Sequence, residues 1–402
     1  MALNVLSLFS GCGGMDIGFE GGFMCLKRSV NTMIHPEWID EDLGEWVKVK
    51  FTPFRTVFAN DIRTDAKTAW VSYFEKIYKN ADDIYRIGSI VDLVKRAKNG
   101  ELVFPNNVDI VTGGFPCQDF SIIWKQPGLN GKRGGLFRHF AEFVDAKKPK
   151  AFVAENVKGL LTANGGKAIE TIIKDFESIA PGYVVKPHLY NFAEYGVPQF
   201  RERVLFVGIR IDTGFDFKHP KPTHGPNGTF PYVTAGEALQ GVENVPTNNE
   251  HINIKEKTRK MLELIPEGGN FKDIPQDSPL YVKGMISHVY RRIKLDEPAK
   301  TIIAAGGGGT WGYHYPEPRP LTNRERARLQ SFPDDFVFAG TVTEVRRQIG
   351  NAVPPVGVRA VARHLFPLFT GDYEPIDLTN EYETMKKMTV KQRLEYVTKQ
   401  MD

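Results

Sequence analysis

The chain has 402 residues, of which 41% are hydrophobic and 25% charged, a composition that is typical of a folded globular protein and excludes a largely disordered one. The formal net charge of +4 permits an anionic partner without requiring one. Three cysteines without paired spacing argue against a disulfide framework and against a metal site. Since we find neither a signal peptide nor an apolar run of membrane-spanning length, we expect a soluble cytoplasmic protein without a membrane partner.

Short β-branched or aromatic runs alternate with helical patterns along the chain. The predicted strands cover residues 5–9, 56–59, 108–111, 151–154, 183–189 and 204–209. Between them, residues 136–144 place Leu136, Phe137, Phe140, Phe143 and Val144 on one helical face. This alternation predicts an α/β fold with a parallel sheet covered by helices.

The composition also divides the chain into segments. Residues 1–211 form the predicted main domain, and a surface excursion over residues 25–53 separates its first two strands more widely than a βαβ unit requires. Residues 212–320 are rich in Pro, Gly, Asn and Thr and predict a smaller, irregular domain. Residues 321–375 return to the main domain, and residues 376–402 form a charged tail or a docked helix.

A cysteine follows the third predicted strand directly. Cys117 comes after Gly113, Gly114 and Pro116, so it lies on a glycine-rich turn at a strand end, where a thiol is placed to act as a nucleophile. Taken alone, a free cysteine is more often a small buried hydrophobe. The neighbouring motifs must therefore decide its role.

A glycine turn follows the first predicted strand. Gly11, Gly13 and Gly14 stand between that strand and a helical stretch, an arrangement that lets a nucleotide-like ligand approach the backbone. A plain tight turn explains these glycines about as well. Asp61 ends the second predicted strand, where a carboxylate suits ribose hydroxyls.

Polar residues also lie next to two later strands, at the end of one and directly before the other. Glu155 and Asn156 come at the end of an apolar strand, on the rim that carries Cys117, although they would equally suit a helix N-cap. Alternation sends Gln199, Arg201 and Arg203 to one side of an extended segment, aimed at one target such as a phosphate or a base edge. Solvated charges on an edge strand are the alternative.

A cationic loop follows Cys117. Residues 126–135 contain four glycines together with Lys132 and Arg133, and residues 122–141 contain no acidic residue. Such a loop suits closure over an anionic polymer, whereas an ordinary surface loop is the competing interpretation.

Together and in this order, these features resemble the DNA cytosine-5 methyltransferases of bacterial restriction-modification systems. The matching motifs are Phe9-Ser10-Gly11-Cys12-Gly13-Gly14, Gly114-Phe115-Pro116-Cys117-Gln118, Glu155-Asn156-Val157, Gln199-Phe200-Arg201-Glu202-Arg203 and Gln348-Ile349-Gly350-Asn351-Ala352-Val353. The resemblance covers nearly all of residues 1–370. Residues 324–333 also resemble the segment that follows target recognition in this family.

The resemblance implies a Rossmann-like sheet that binds S-adenosylmethionine and releases S-adenosylhomocysteine, with residues 212–320 as the target-recognition domain. The residues that it places in the cofactor pocket are Phe9, Gly11, Gly13, Gly14, Asp61, Ile62, Ser89, Pro116, Asn351 and Val353. One of them departs from the family pattern. Ser89 stands where an acidic residue near the adenine is usual, which leaves adenine recognition open at this position.

The resemblance also implies catalytic roles. Cys117 would attack C6 of a cytosine flipped out of the duplex, and Glu155 would act at N3 of the same ring. Arg201 and Arg203 would hold the pyrimidine carbonyl and the catalytic residues in place. Gln118 and Asn156 complete the predicted catalytic group.

Double-stranded DNA is the partner that the resemblance implies. The predicted DNA contacts are Ser121, Lys132, Arg133, Gln199, Arg291, Arg292, Thr301, Gly307 and Gly308. Residues 212–320 contain 13 Lys or Arg and 13 Asp or Glu, so bulk charge does not mark this region as DNA-binding.

The enzyme is expected to act as a monomer at the nucleoid, and a cognate restriction endonuclease would act at the same DNA site without direct contact. An RNA cytosine-5 methyltransferase and a catalytically silent DNA-binding relative are the alternatives.

Overall fold

A computed structural model describes residues 2–116, 135–281, 283, 289–304, 310 and 312–401. Its strands are β1 (Leu3–Leu8), β2 (Met24–Leu26), β3 (Ile39–Asp42), β4 (Trp46–Val49), β5 (Phe54–Asp61), β6 (Tyr85–Ile87), β7 (Ile110–Gly114), β8 (Ala151–Val157), β9 (Tyr183–Asn191), β10 (Gln199–Phe200), β11 (Glu202–Arg210) and β12 (Ala299–Lys300). Within these described residues, seven strands form the central sheet in the order β6-β5-β1-β7-β8-β11-β9.

The direction of the strands confirms an α/β fold and departs from the prediction at one strand. The pairs β6-β5, β5-β1, β1-β7 and β7-β8 are parallel. By contrast, β11 runs antiparallel to both β8 and β9. The reason is the short connection between β9 and β11, which is too short for the crossover helix that parallel neighbours need.

Helices cover both faces of this sheet. The described helices are α1 (Gly14–Glu20), α2 (Thr64–Phe74), α3 (Ala81–Ile84), α4 (Ile90–Lys98), α5 (Leu136–Lys147), α6 (Lys167–Glu177), α7 (Ala235–Leu239), α8 (Glu256–Glu263), α9 (Asn323–Leu329), α10 (Val342–Asn351), α11 (Pro355–His364), α12 (Phe366–Thr370), α13 (Thr379–Lys386) and α14 (Val390–Lys399). The apolar residues of α4, α5 and α6 join one core cluster, and those of α1, α2, α10 and α11 join the cluster on the opposite face. The predicted apolar face of residues 136–144 is confirmed, since Phe137, Phe140, Phe143 and Val144 are buried.

The chain returns to the main sheet after residue 320. Helix α11 packs closely on α1. A Cβ added at Gly18 would come within 2.3 Å of Val358 Cγ1, so only glycine allows this approach. Helices α13 and α14 then lie against the edge strand β9, where Arg393 forms a buried ion pair with Glu177 at 2.5 Å.

Two parts of the chain lie outside the central sheet. Residues 25–53 form a small antiparallel sheet in the order β2-β4-β3. Between residues 212 and 320 the described elements are short, and an apolar cluster around Leu262, Phe271 and Tyr313 lies apart from the two main clusters. Among the described helices, we find none that is long and apolar enough to cross a membrane.

Helix α1 carries two buried carboxyl groups. Asp16 accepts hydrogen bonds from Ser7 Oγ at 2.6 Å and from Trp70 Nε1 at 2.8 Å. Glu20 accepts from the backbone N–H of Thr56 at 3.0 Å and from the Tyr78 hydroxyl at 2.5 Å. Burial raises the pKa of Asp16 to about 6 and that of Glu20 to about 7.

These carboxyls predict a stability that falls with increasing pH. Because the folded state holds the Glu20 proton more tightly than the unfolded chain, the free energy of unfolding should fall as pH rises from about 4.5 through about 7. Glu20→Gln should remove on the order of 2–3 kcal/mol of this fall between pH 5 and pH 8. Denaturant unfolding at both pH values measures it, with the exposed Glu41→Gln as control. Equal pH dependence in wild type and Glu20→Gln would contradict the assignment.

Candidate active site

Two neighbouring strand ends form the centre of the site. Parallel strands β7 and β8 place Gly114 directly beside Glu155. A Cβ added at Gly114 would come within 2.7 Å of Glu155 Oε2, a distance that real Cβ contacts do not reach. Glycine at this position therefore leaves the space that the Glu155 carboxylate occupies.

Asn156 holds the chain that leads to the predicted nucleophile. Its Nδ2 donates to the carbonyl of Phe115 at 2.9 Å, and its Oδ1 accepts from the N–H of Val157 at 2.9 Å. It does not cap the following short helix, whose N-cap is Val157. Pro116 is exposed at the end of this described segment. The predicted residues Cys117, Gln118, Ser121, Lys132 and Arg133 lie outside the described residues.

Glu155 and Arg203 form a buried pair. Arg203 Nε lies 2.9 Å from Glu155 Oε1, and the two side chains are 13% and 10% exposed. The geometry is that of an ion pair without an aligned hydrogen bond at Nε, while Arg203 Nη1 donates to the carbonyl of Glu202. Burial raises the pKa of the Glu155 carboxyl, and the positive charges of Arg203 and Arg201 limit that rise.

Arg201 and Gln199 bind protein backbone. Arg201 Nη1 donates to the Ile302 carbonyl at 3.2 Å, and Gln199 Oε1 accepts from the Ile302 N–H at 2.9 Å. Both side chains are fully buried. Together they bind both the N–H and the carbonyl of Ile302, on the segment that leads to the glycine run at residues 306–309, which lies outside the described residues.

Arg201 and Gln330 also form hydrogen bonds with the return segment, the part of the chain at residues 321–375 that returns to the main domain. Arg201 Nη2 donates to the carbonyls of Gly350 and Ala352, at 2.8 and 3.0 Å. Gln330 donates to the carbonyls of Ile349 and Ala352, and its Oε1 accepts from Gln199 Nε2. A buried hydrogen-bond network therefore joins Ile302 to the turn that carries Asn351 and Val353.

This network differs from what the sequence predicts for the motif at residues 199–203. Gln199, Arg201 and Arg203 were expected to aim at one target, yet Gln199 and Arg201 bond to buried backbone while Arg203 pairs with Glu155. Since Gln199 is fully buried and its amide is occupied on both sides, its position does not support a contact with DNA.

The predicted cofactor turn is open at one glycine. Gly11 has φ +54°, and a Cβ built there meets no atom within 4 Å. The Gly11 N–H donates to Asp61 Oδ2 at 3.1 Å, and the Tyr85 hydroxyl donates to the Gly11 carbonyl at 2.8 Å. Burial raises the pKa of Asp61. The turn is thus held from both sides while its outer face stays accessible.

The other predicted glycines serve packing. A Cβ at Gly14 would lie 2.4 Å from the carbonyl of Val353, and one at Gly13 would lie 2.5 Å from Trp70 Cδ1. The close approach at Gly14 brings the return segment onto the first turn of α1. Val353 is buried there, and Asn351, at the end of α10, is exposed.

The remaining residues predicted for the cofactor pocket are Ile62, Phe9 and Ser89. Ile62 is 70% exposed next to the Asp61 carboxylate, so an apolar surface and a hydroxyl acceptor lie side by side. Phe9, with φ +54°, and Ser89, which directly precedes α4, are half-buried in the turns after β1 and β6. An open backbone, a carboxylate and an exposed apolar side chain suit the ribose and base of S-adenosylmethionine.

The predicted DNA-reading residues differ in exposure. Arg292 is buried, and its guanidinium donates to backbone carbonyls that include those of Leu262, Ile265 and Pro316, so its position supports a structural role. Arg291 is half-buried and lines a cleft with Thr301. The Thr301 hydroxyl donates to the carbonyl of Phe200 at 2.7 Å. Gly307 and Gly308 lie outside the described residues.

Two residues of the site were missing from the sequence prediction. Gln330 falls inside the stretch 324–333, which was noted only as a resemblance, and Tyr85 begins the short edge strand β6. Both act through hydrogen bonds to distant backbone, for which the local pattern of residues gives no signal. Only the resemblance of residues 324–333 to the family's segment pointed toward Gln330.

The strand order and the helices that cover the sheet define a Rossmann-like fold. Two solved structures share the fold: Entamoeba histolytica methyltransferase EhMeth, with a TM-score of 0.56 and 15% identity over 93% of this chain and 100% of that one, and Spodoptera frugiperda DNMT2, with a TM-score of 0.54 and 16% identity over 91% and 100%.

Residues 3–367 match the family described as C-5 cytosine-specific DNA methylase, and the chain belongs to this family. It is 55% identical to the Type II methyltransferase M.NgoFVII of Neisseria gonorrhoeae over 97% of this chain and 93% of the relative. It is 38% identical to M.BbvI of Brevibacillus brevis over 94% and 95%. The protein is a DNA cytosine-5 methyltransferase, and S-adenosylmethionine is its methyl donor.

The contact at Gly114 predicts a sharp steric effect. Gly114→Ala should displace the Glu155 carboxylate and lower the rate of methyl transfer by about a hundredfold, because small displacements of catalytic groups are costly. Gly159→Ala is the matched control, since its added Cβ would meet only Val157 Cγ2, at 4.0 Å. Steady-state kinetics with labelled donor compares them. Equal rates for the two variants would show that the close approach at Gly114 has no catalytic consequence.

Proposed function

We propose that this enzyme methylates one cytosine within a defined duplex sequence through a covalent bond between Cys117 and C6, and that it thereby protects DNA from a restriction endonuclease. The relatives named as Type II methyltransferases support the biological setting. The observation that carries the chemical part is the buried Glu155–Arg203 pair, 2.9 Å apart, at the rim from which the chain leads to Cys117.

Glu155 is the proposed acid. Because burial raises the pKa of this carboxyl, it keeps its proton at a higher pH than an exposed glutamate does. A protonated carboxyl can donate to N3 of the cytosine ring and stabilise the ring when the thiolate adds to it. Arg203 Nε lies 2.9 Å from Glu155 Oε1, so Arg203 is the proposed group that holds the carboxyl in place and binds the pyrimidine carbonyl.

Cys117 is the proposed nucleophile. Its thiolate adds to C6, the electron pair moves toward C5, and N3 takes the proton from Glu155. When bound at the glycine turn, S-adenosylmethionine supplies an electrophilic methyl group. Loss of the C5 proton to solvent water, return of the N3 proton to Glu155 and departure of the thiolate from C6 then restore the aromatic ring. Gln118 and Asn156 are the proposed neighbours that position this thiol.

Arg201 is a proposed positioning residue. Its contacts are to the carbonyls of Ile302, Gly350 and Ala352, so it acts on the substrate through the backbone that it holds. The cytosine must leave the base stack to reach the rim, at a cost of roughly a few kcal/mol.

DNA recognition is proposed for residues 212–320. Arg291 and Thr301 are the candidates among the described residues, because they line the same cleft. Ser121, Lys132, Arg133, Gly307 and Gly308 remain candidates from the sequence. We also propose that the enzyme acts as a monomer. We propose that it acts in the bacterial cytoplasm, at the nucleoid, where its DNA substrate would lie.

The proposed nucleophile is tested by substitution and by trapping. Cys117→Ser should abolish methyl transfer to duplex DNA, and wild-type enzyme should form a covalent complex with DNA that contains 5-fluorocytosine at the target. Bisulfite sequencing of a treated plasmid reports the recognition sequence and the methylated strand. Methylation that survives Cys117→Ser would reject this nucleophile, and a matched RNA substrate tests the alternative target.

The proposed acid predicts a particular pH profile. Because the protonated carboxyl is the active form, the single-turnover rate of wild type should fall as pH rises through the raised pKa of Glu155. Glu155→Gln should lower the rate by about 10²- to 10⁴-fold and remove this falling limb. Glu202→Gln is the control, because Glu202 pairs with Lys158 at the surface. An unchanged falling limb in Glu155→Gln would assign the titration to another group.

A further inference from the structure

The small sheet of residues 25–53 contacts the start of the region that we propose for target recognition. Asn31, which is 2% exposed, lies in this insertion. Its Nδ2 donates to the Thr223 carbonyl at 3.0 Å and to Thr229 Oγ1 at 2.7 Å. Its Oδ1 accepts from the N–H groups of Met33 and Ile34, within the insertion itself. One side chain therefore shapes the insertion with its oxygen and binds the neighbouring region with its nitrogen.

A histidine of the proposed recognition region also binds the insertion. His224 is fully buried, and its Nε2 lies 2.8 Å from the carbonyl of Arg28. A carbonyl only accepts, so Nε2 carries the proton, and Nδ1 accepts from the Thr223 hydroxyl at 2.9 Å. Burial lowers the pKa of His224, which keeps the ring neutral and preserves this arrangement.

A second contact lies on the other side of the insertion. The Trp46 ring lies under the guanidinium of Arg328, 4.9 Å from its centroid. Arg328 donates to the carbonyls of Ala238 and Gln240, at 3.2 and 2.7 Å, and pairs with Asp334. The insertion thus touches the proposed recognition region near residue 224 and, through Arg328, near residue 238.

The insertion also supports the catalytic segment. A Cβ at Gly196 would come within 2.1 Å of the Ser29 carbonyl oxygen, so the two backbones are in direct contact. The N–H groups of Thr223 and His224 donate to the carbonyl of Glu194, at 2.9 and 3.0 Å. Three residues after Gly196 comes Gln199, which begins the segment that ends in Arg203. Insertion, recognition region and catalytic segment therefore meet at residues 194–196.

We propose that residues 25–53 are a brace that sets the position of the recognition region relative to the Glu155–Arg203 site, with Asn31 as its key positioning residue. This inference rests on the proposed role of residues 212–320. A region that reads DNA must be held at a fixed distance from the residues that act on the flipped base, because both contacts are made at once. The buried polar bonds of Asn31 and His224 fix that relation in a way that apolar packing alone does not.

Asn31→Asp separates the two functions of this side chain. Aspartate still accepts from Met33 and Ile34, but it cannot donate to Thr223 or Thr229, and its second oxygen would face the Thr223 carbonyl. We expect KM for duplex DNA to rise about tenfold, because the Thr223 carbonyl in the proposed recognition region loses its hydrogen-bond donor. KM for S-adenosylmethionine should stay unchanged, because the substitution removes no contact at the proposed cofactor pocket. Bisulfite sequencing should also show more methylation at near-target sequences.

Two further variants keep the test decisive. Asn106→Asp adds the same charge at an exposed position outside both the insertion and residues 212–320, so it should behave as wild type. Trp46→Leu removes the second contact and should also raise KM for DNA, which separates a positioning effect from a general charge effect. If Asn31→Asp fails to fold, as judged by its thermal midpoint, Trp46→Leu carries the test alone.

The outcomes distinguish the brace from the underlying function. A wild-type KM for DNA in both Asn31→Asp and Trp46→Leu would reject the brace while leaving the methylation activity intact. A parallel rise of both KM values would show a general structural role and would also reject it. Absence of DNA methylation by the wild-type enzyme would instead reject the proposed function itself.

Discussion

The adjacency of two parallel strand ends is the constraint on which the rest of the site depends. Strands β7 and β8 end side by side, and Gly114 leaves room for the Glu155 carboxylate. A buried carboxylate is costly unless it is paired or protonated, and the structure provides both routes: Arg203 lies 2.9 Å away, and burial raises the pKa of the acid. The same balance makes Glu155 suitable as a proton donor at pH values where exposed glutamates are ionised.

A second layer of buried polar side chains holds this pair in position. Arg201, Gln199 and Gln330 use their hydrogen bonds on backbone groups of Ile302, Gly350 and Ala352. Buried amides and guanidinium groups of this kind are costly to leave unsatisfied, so they specify one arrangement of the chains that they join. They connect Ile302, in the region that we propose for target recognition, to the turn beside the proposed cofactor pocket, although the joined residues are far apart in sequence.

Polar contacts of the insertion at residues 25–53 add a third set of connections, which lies outside the site. Its Asn31 and Trp46 reach the segments near residues 224 and 238, and its backbone contacts Gly196. Buried polar contacts thus fix the proposed recognition region relative to the proposed catalytic residues.

Much of this protein was determined by the sequence itself. Alternating apolar runs predicted the α/β sheet, and strand-end positions drew attention to Cys117, Glu155 and Asp61, because period-two and helical patterns are local and the rim of a parallel sheet collects the residues that follow each strand. Only the tertiary structure decided the reversed direction of β11, the buried roles of Gln199 and Arg292, and the contribution of Gln330. Each of those depends on which distant backbone group a side chain meets, and a local pattern of residues carries no information about that partner.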